Sequence, residues 1–449
     1  MRLPVRPLPL AALMLAVPVA LGVLPGASAA PPEGKGPGAC KPAKKCEPAP
    51  EPTTAAPRVV VADVDSGVNP YHDAYYAHGP SEVTPDVLAE FPGIETVRLT
   101  RTGDFAADFA ADKPFWDSVR NGKPYWFEGT NLIGVSFDTS GVKIFSDPRD
   151  EHGTGTSAAV LAANPEAVVV MVEGINAQSE TFAFTHPAVD IVTTSYGFPG
   201  SPPIPFHLEN SYEGTVKRGK MHFGASDNSP ALSPPDGTSG PWWSVAVAGF
   251  HEDTTGGRET LSGNVIDFVS DFTQTLPYCS DCETGTRAVS GTSFATPRSA
   301  GTASAVLLEA RRGAGHVGGP VVKDGTGSLA VQGGALSLTP WQLRRALEEA
   351  AHYPGLADYK GLGTRHTPVV DQAPYVQTGW GILSPDAKYG VVEQALAQLG
   401  LRDGARKAKG GAACDWNNAQ HDARHAYWDS VAVGSESFLT TDKEPFVHC

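Results

Sequence analysis

The sequence predicts an α/β chain built on a mostly parallel sheet with helices on both faces. Short, nearly continuous apolar runs recur at Val59–Val64, Ala167–Val172, Val189–Thr194, Met221–Ala225 and Trp242–Ala248. A strand covered on both faces reads as such a run, whereas a half-exposed strand alternates. The runs are bounded by Gly, Pro, Asn or Asp and separated by segments of helix length, the rhythm of βαβ units. Hydrophobic residues make up 41% and charged residues 18%, enough apolar side chain for a sizeable core. At 449 residues the chain is long for one domain, yet within reach of one large α/β domain carrying insertions.

Along the chain, Arg2 and Arg6 precede an apolar run, Leu8 to Leu24, and then Ala27-Ser28-Ala29. A short positive region, an apolar stretch and an A-x-A site read as a secretory signal peptide over residues 1–29. The competing reading, a membrane anchor, is disfavoured because the run is short for a bilayer and contains Pro18. No later segment reaches ~18 consecutive apolar residues, so a secreted, extracellular and soluble chain is expected, off the membrane once the signal is removed. Residues 30–57 are rich in Pro, Lys, Ala and Glu and form an extended leader. The folded domain is expected over 58–400. The polar tail, 401–449, carries no strong fold signal.

Within 58–400, Val59–Val64 is the first strand. Helices are expected over Thr154–Ala163, stopped by Asn164-Pro165, and over the Ala-rich Thr296–Arg311. The Gly-rich stretch 312–336 reads as a loop. Thr339-Pro340-Trp341-Gln342 opens another helix, with Thr339 as N-cap, Pro340 at the first position and Gln342 completing a capping box.

The formal net charge is −15, and it becomes −17 without residues 1–29, whose charged residues are Arg2 and Arg6. A chain that acidic is repelled by phosphate backbones and anionic lipid, which argues against nucleic-acid and membrane-surface roles. Cys40, Cys46, Cys279, Cys282, Cys414 and Cys449 form an even set, and in an oxidising compartment disulfides are the default. Sequence cannot choose among ~15 pairings. Proximity favours 40–46 and 279–282, which leaves 414–449 to tie down the tail. Cys279-Ser-Asp-Cys282 also fits a redox pair or half a zinc site, but no second CxxC accompanies it.

Chemistry-bearing residues gather at three places. Val59-Val60-Val61-Ala62-Asp63-Val64-Asp65-Ser66-Gly67 puts Asp65 at the carboxyl end of a strand, the edge where open α/β sheets bind ligands. Acids also end strands as turn formers, and Asp63 is a second candidate. His152-Gly153-Thr154-Gly155-Thr156-Ser157 sets a histidine at a helix start beside small residues, where it can serve as a general base or sit as a surface loop histidine. Ser290-Gly291-Thr292-Ser293-Phe294-Ala295-Thr296-Pro297 places Ser293 at a helix N-terminus, beside backbone N–H groups an oxyanion could use. The plainer use of a serine there is an N-cap. Pro297 fits a first turn, where an N–H is dispensable.

Asp-Ser-Gly, His-Gly-Thr and Gly-Thr-Ser-x-Ala-Thr-Pro, in the order Asp, His, Ser, resemble the subtilisin family of serine peptidases, whose chain order is itself the reference case for that arrangement. The resemblance spans about residues 58–400, including Gly379-Trp380-Gly381 before the closing helix. It implies a three-layer subtilisin-like fold and a secreted serine endopeptidase working through an acyl-enzyme. By the same resemblance, Ser293 is the nucleophile, His152 the base and Asp65 the carboxylate that orients it. Asn228, in Gly224-Ala225-Ser226-Asp227-Asn228, matches the family's oxyanion-hole asparagine; by its residues alone it reads as a turn. Ser195-Tyr196-Gly197 resembles the strand that pairs with substrate backbone.

The chain also departs from that pattern. Asp65 and His152 are 87 positions apart (152 − 65), so an insertion is expected over 66–151. It carries Trp116, Tyr125, Trp126 and Phe127, which read as local core before cleft wall. Asp227 stands where the family has Gly, and a carboxylate near the first specificity pocket favours a basic substrate residue. Glu151 stands before His152 where the family tends to have Gly, and its charge, if close, raises the histidine's pKa. The 28-residue leader, 30–57, is shorter than the ~40 residues at which chains begin to fold alone, so the family's folded inhibitory prodomain is not expected.

The expected partner is a protein or peptide substrate, with no cofactor required and the protein acting as a monomer. Structural calcium is common in the family, but no acid-rich loop here identifies a site. Gly313-Ala-Gly315-His-Val-Gly318 fits GxGxxG, yet it follows a helix instead of a strand. His421 and His425 stand at i, i+4, but no Glu follows His421 in the HExxH manner. A catalytically inactive secreted binding protein on the same fold remains the rival reading, although none of Asp65, His152, Asn228 and Ser293 is missing.

Overall fold

The computed structural model describes residues 56–77, 83–138, 144, 151–197, 204–226, 228, 238–252, 258–261, 266–319, 321–322, 328–329, 331–333, 336–352, 378–407, 409–429, 432–433 and 436–437. The signal and nearly all of the leader, Cys40, Cys46, Cys449 and Asp227 lie outside the described residues.

The strands of the main sheet are β1 (Val60–Asp65), β2 (Glu95–Val97), β3 (Pro124–Phe127), β4 (Leu132–Ser136), β5 (Val168–Glu173), β6 (Ile191–Thr194), β7 (Met221–Ala225), β8 (Val245–Glu252), β9 (Arg258–Leu261) and β10 (Phe268–Asp271). A hairpin of β11 (Thr273–Leu276) and β12 (Arg287–Ser290) follows. The helices are α1 (Pro85–Ala89), α2 (Phe105–Ala111), α3 (Lys113–Trp116), α4 (His152–Ala163), α5 (Ala177–Thr185), α6 (Pro205–Tyr212), α7 (Thr292–Ala314), α8 (Pro340–Ala350), α9 (Val391–Gln398) and α10 (Ala412–Asp429).

The sheet order is β10-β8-β7-β6-β1-β5-β4-β3-β2, with β9 paired to β8. Pairing is parallel except between β3 and β4 and between β8 and β9. The fold is therefore α/β with a mostly parallel sheet, as expected. β1 sits at its centre, flanked by β5 and β6, and the chain crosses over β1 between those two strands. That crossover is a topological switch point, and the carboxyl end of β1 opens into it.

Alternation along β1 decides where the chemistry points. Val59 and Val61 join the apolar cluster that holds Val160 of α4 and Ala300, Ala303 and Val306 of α7. Val60, Ala62 and Val64 join the opposite cluster with Ala183 and Phe184 of α5. Side chains of a strand alternate in face, so Asp63 and Asp65 turn toward α4 and α7 with Val61. These two helices pack closely because Gly301 replaces a side chain: a Cβ there would lie 2.6 Å from the Val160 carbonyl oxygen.

Residues 66–151, where an insertion is expected, extend the sheet as β2, β3 and β4. Tyr125 and Phe127 are buried in the main cluster, while Trp116 packs half-buried on Phe127 and Trp126 half-buried on the opposite cluster, so these aromatics serve local packing. The GxGxxG stretch is a helix end, with Gly315 as the left-handed C-cap of α7 at φ 69°. Short strands at Val321–Val322, Ser328–Leu329, Val331–Gly333 and Leu336–Leu338 occupy parts of the expected 312–336 loop. The capping box at Thr339 is present as expected.

Arg311 on α7 anchors the opposite end of β1. Its Nη1 and Nη2 donate to the two carboxylate oxygens of Asp190 at 2.7 and 2.6 Å, and Nη1 also reaches the Arg58 carbonyl at 2.8 Å. Asp190 accepts in turn from the Val60 amide at 2.9 Å. Burial alone would push the Asp190 carboxyl up, but Arg311 overrides that and holds it below the usual range. Arg311→Met is expected to lower unfolding free energy by about 3–5 kcal/mol, because it leaves the buried carboxylate only the more distant Arg58, 3.9 Å away. A denaturant midpoint that moves by less than the equivalent of ~1 kcal/mol would refute this account of the pair.

Candidate active site

Three chain segments converge at the carboxyl edge of the sheet: the end of β1, the start of α4 and the start of α7. The Asp65-Ser66-Gly67 turn leaves β1 and meets the first turn of α4. A Cβ at Gly153 would lie 2.0 Å from the Gly67 carbonyl oxygen, so only glycine permits this approach. The Gly153 amide donates to Ser66 Oγ at 3.2 Å, tying turn to helix.

His152, the first residue of α4, places Nδ1 at 2.9 Å from both carboxylate oxygens of Asp65. Asp65 Oδ1 also accepts the Ser66 amide at 2.7 Å, so the carboxylate is held from its own turn. Asp65 is nearly buried while a quarter of His152 remains exposed, leaving the imidazole open toward solvent on its far side. Asp63 lies one pleat deeper and accepts from Thr156 Oγ1 at 2.7 Å. Burial, and then the neighbouring Asp65, push the Asp63 carboxyl well above the usual carboxylate range. Of the two acids, the histidine's partner is Asp65, the one the sequence favoured, and not Asp63. Glu151 faces Arg287, 3.7 Å away.

Ser293 is the second residue of α7. Gly291 is the N-cap and makes no side-chain cap bond, so Ser293 is not the cap. The Ser293 amide belongs to the first turn, whose N–H groups lack intrahelical acceptors. The helix begins four residues earlier than expected, which places Pro297 well inside it and corrects the first-turn reading. Proline removes the N–H that would bond the carbonyl four residues back, that of Ser293. Ser195 Oγ supplies the missing donor, reaching the Ser293 carbonyl at 2.8 Å. Ser293 Oγ donates to the Ser195 carbonyl at 3.2 Å, so nucleophile candidate and substrate-strand candidate are held reciprocally. The ring of Phe294, next in the chain, lies 5.5 Å from that of His152.

Asn228 joins this group. Its Oδ1 accepts from the Thr292 amide at 2.8 Å and from Thr292 Oγ1 at 3.0 Å. Two donors on the oxygen settle the amide's orientation and make Nδ2 its donor edge. Of the expected substrate residues, Ser195 spends its hydroxyl on α7. Tyr196 turns its hydroxyl inward to Glu180, which also accepts from or pairs with His207 Nδ1 at 2.9 Å, so main chain is what this stretch offers a ligand. Sequence reasoning missed Thr156 and Thr292, the hydroxyls that orient Asp63 and Asn228.

Cys279 and Cys282 form a disulfide. Among the described residues, His72, Cys279 and Cys282 are the one group of three potential metal ligands with atoms within 4.8 Å, and both sulfurs are spent in that bond. Cys414 is disulfide-bonded, and its expected partner, Cys449, is outside the described residues. Among the described residues no helix is long and apolar enough to cross a membrane.

No family model matches the chain, and no curated protein does. Solved structures similar to it include a lanthipeptide protease, at 15% identity and TM-score 0.46, covering 76% of this chain and 88% of that one. The prenylagaramide maturation protease PagA aligns at 16% identity and TM-score 0.41, over 77% and 95% of the two chains. A cold-adapted subtilisin-like serine proteinase aligns at 17% identity and TM-score 0.38, over 70% and 90%. At such identities and TM-scores these likenesses carry no functional argument. The geometry of the site does.

Proposed function

We propose that the chain is a subtilisin-like serine endopeptidase acting through Asp65, His152 and Ser293. The observation that carries this reading is the Asp65–His152 contact at 2.9 Å, set beside a serine at the N-terminus of a long helix. In this mechanism Ser293 Oγ attacks the scissile carbonyl while His152 Nε2 takes its proton. Asp65 holds the Nδ1–H and stabilises the imidazolium that forms. The tetrahedral oxyanion is met by the Ser293 amide and Asn228 Nδ2. His152 then protonates the leaving amine, and water hydrolyses the acyl-enzyme by the same steps in reverse. The substrate runs extended along the main chain of Ser195-Tyr196-Gly197, as an added strand. Export by the 1–29 signal places this activity outside the cell.

The direct experiment is a fluorophosphonate probe on the signal-free protein, read by intact mass. One adduct per folded molecule is expected. No adduct on a folded sample would refute the peptidase reading and favour a binding protein. Asn228→Ala is expected to lower kcat by about 10²–10³ with KM little changed, the range that subtilisin's own oxyanion asparagine shows. An unchanged kcat would remove Asn228 from the oxyanion hole.

A further inference from the structure

The segment Thr238–Ser244 starts beside the carboxyl ends of β6 and β7, behind the main chain that is to receive substrate, and leads into the amino end of β8. Thr238 Oγ1 donates to the Tyr196 carbonyl at 3.0 Å, and the Thr238 carbonyl lies 3.3 Å from His207 Nε2. Ser239 is pressed on β7 where Gly224 leaves room: a Cβ there would be 3.0 Å from Ser239 Cα. The segment is buried and irregular, so its carbonyls must find donors outside any regular ladder.

One guanidinium supplies most of them. Arg424 Nη2 donates to the carbonyls of Ser239, Pro241 and Ser244 at 3.2, 2.6 and 3.0 Å, and Nε donates to that of Gly240 at 2.9 Å. Nη1 reaches both carboxylate oxygens of Asp267 at 2.9 Å. Arg344 of α8 shares Asp267 at 3.0 Å and donates to the carbonyls of Trp242 and Ser244 at 3.0 and 3.3 Å. Arg424 comes from α10, in the extension beyond the sheet and its covering helices. The same helix stacks His425 on Trp242 at 4.2 Å and sets Trp428 against Trp243. Just upstream, Lys409 Nζ caps the carbonyls of Glu348, Ala351 and Trp380. The extension is thus joined to the domain at Arg424 and Lys409.

We propose that α10 is a positioning element of the substrate site: Arg424 acts as an internal cation that fixes the 238–244 segment and, through Thr238, the Tyr196 main chain. The substrate half of this proposal rests on the peptidase reading. Arg424 touches no reacting atom and acts through the loop it holds. Its planar fork matters as well as its charge, because an ammonium with three donors at one point cannot serve four separated carbonyls and a carboxylate together.

The test uses the signal-free full chain with Arg424→Ala and Arg424→Lys, and Arg424→Met/Asp267→Asn as the variant that leaves no unpaired charge should Arg424→Ala fail to fold. Hydrogen exchange is measured at 195–197 and 238–244, together with kcat and KM on a peptide panel, with and without millimolar guanidinium. The expected result is faster exchange in both segments and KM raised about tenfold or more with kcat within about threefold, where tenfold is the effect of ~1.4 kcal/mol. Arg424→Lys should not restore either property, and added guanidinium should restore both in Arg424→Ala. Unchanged exchange in both segments, or an unchanged KM with apparent kcat falling only with the folded fraction and without response to guanidinium, overturns the proposal. If the wild-type chain neither labels nor cleaves, the peptidase reading fails, and the exchange data still decide the clamp.

Discussion

Replacing Ser293 by alanine is expected to lower kcat by about 10⁶, a magnitude taken from subtilisin's own serine, and to abolish the fluorophosphonate adduct. In the proposed mechanism the substitution removes the attacking atom and keeps the Ser293 amide, Asn228 and the Ser195-Tyr196-Gly197 main chain. Residual turnover therefore reflects the oxyanion hole and binding alone. The fold should hardly notice. Ser293 Oγ makes one bond, to the Ser195 carbonyl at 3.2 Å, and the return bond from Ser195 Oγ goes to the Ser293 main chain, which alanine keeps. Losing one such bond costs about 0.5–1.5 kcal/mol. The check is kcat and intact mass on samples with matched thermal unfolding. Retained labelling, or a loss under about tenfold, would move the nucleophile elsewhere.

Asp65→Asn should lower kcat by about 10⁴, the loss the equivalent change causes in another serine peptidase triad. The carboxylate only accepts, so His152 Nδ1 carries the proton and Nε2 is the nitrogen that acts as base in the proposed mechanism. An asparagine amide can turn its NH₂ toward Nδ1, which moves the ring proton to Nε2 and removes the base. The same change at Asp63 is expected to cost far less, because Asp63 bonds Thr156 and not the imidazole. Steady-state kinetics on both variants decide it: equal losses would show that the two acids act as one unit and that Asp65 has no separate role.

How far the site could be read from sequence depended on how local each cause was. Asp65, His152 and Ser293 stand in short motifs whose neighbours, Gly67, Gly153 and Gly291, exist to bring turns and helix ends together. Thr156 and Thr292 stand in the same motifs but act on partners 93 and 64 residues away, and nothing in the motifs names those partners. Pro297 was visible but misplaced, since the helix start was set too late; its consequence, the Ser195 hydroxyl on the Ser293 carbonyl, spans 98 residues. The tail shows the clearest failure. Cys414, Asn417, His421, Arg424 and Trp428 are buried and recur at helical spacing, but three of the five are polar. A search for apolar periodicity passes over a helix whose buried face binds by hydrogen bonds and charge.

By itself, the sequence determined the class of architecture and marked the residues that the proposed mechanism uses. Apolar runs of strand length admit little besides a covered parallel sheet, and the chemistry-bearing residues stand next to the glycines that expose them. Tertiary structure alone decided which hydroxyls orient the side chains of the site and that the polar tail is a helix packed on the 238–244 segment; it also puts the imidazole against Asp65, the acid the sequence favoured. Those outcomes depend on where strand alternation and helix packing carry groups that are distant in the chain. A buried polar contact is specified by both partners at once, and neither partner's own stretch of sequence contains the other.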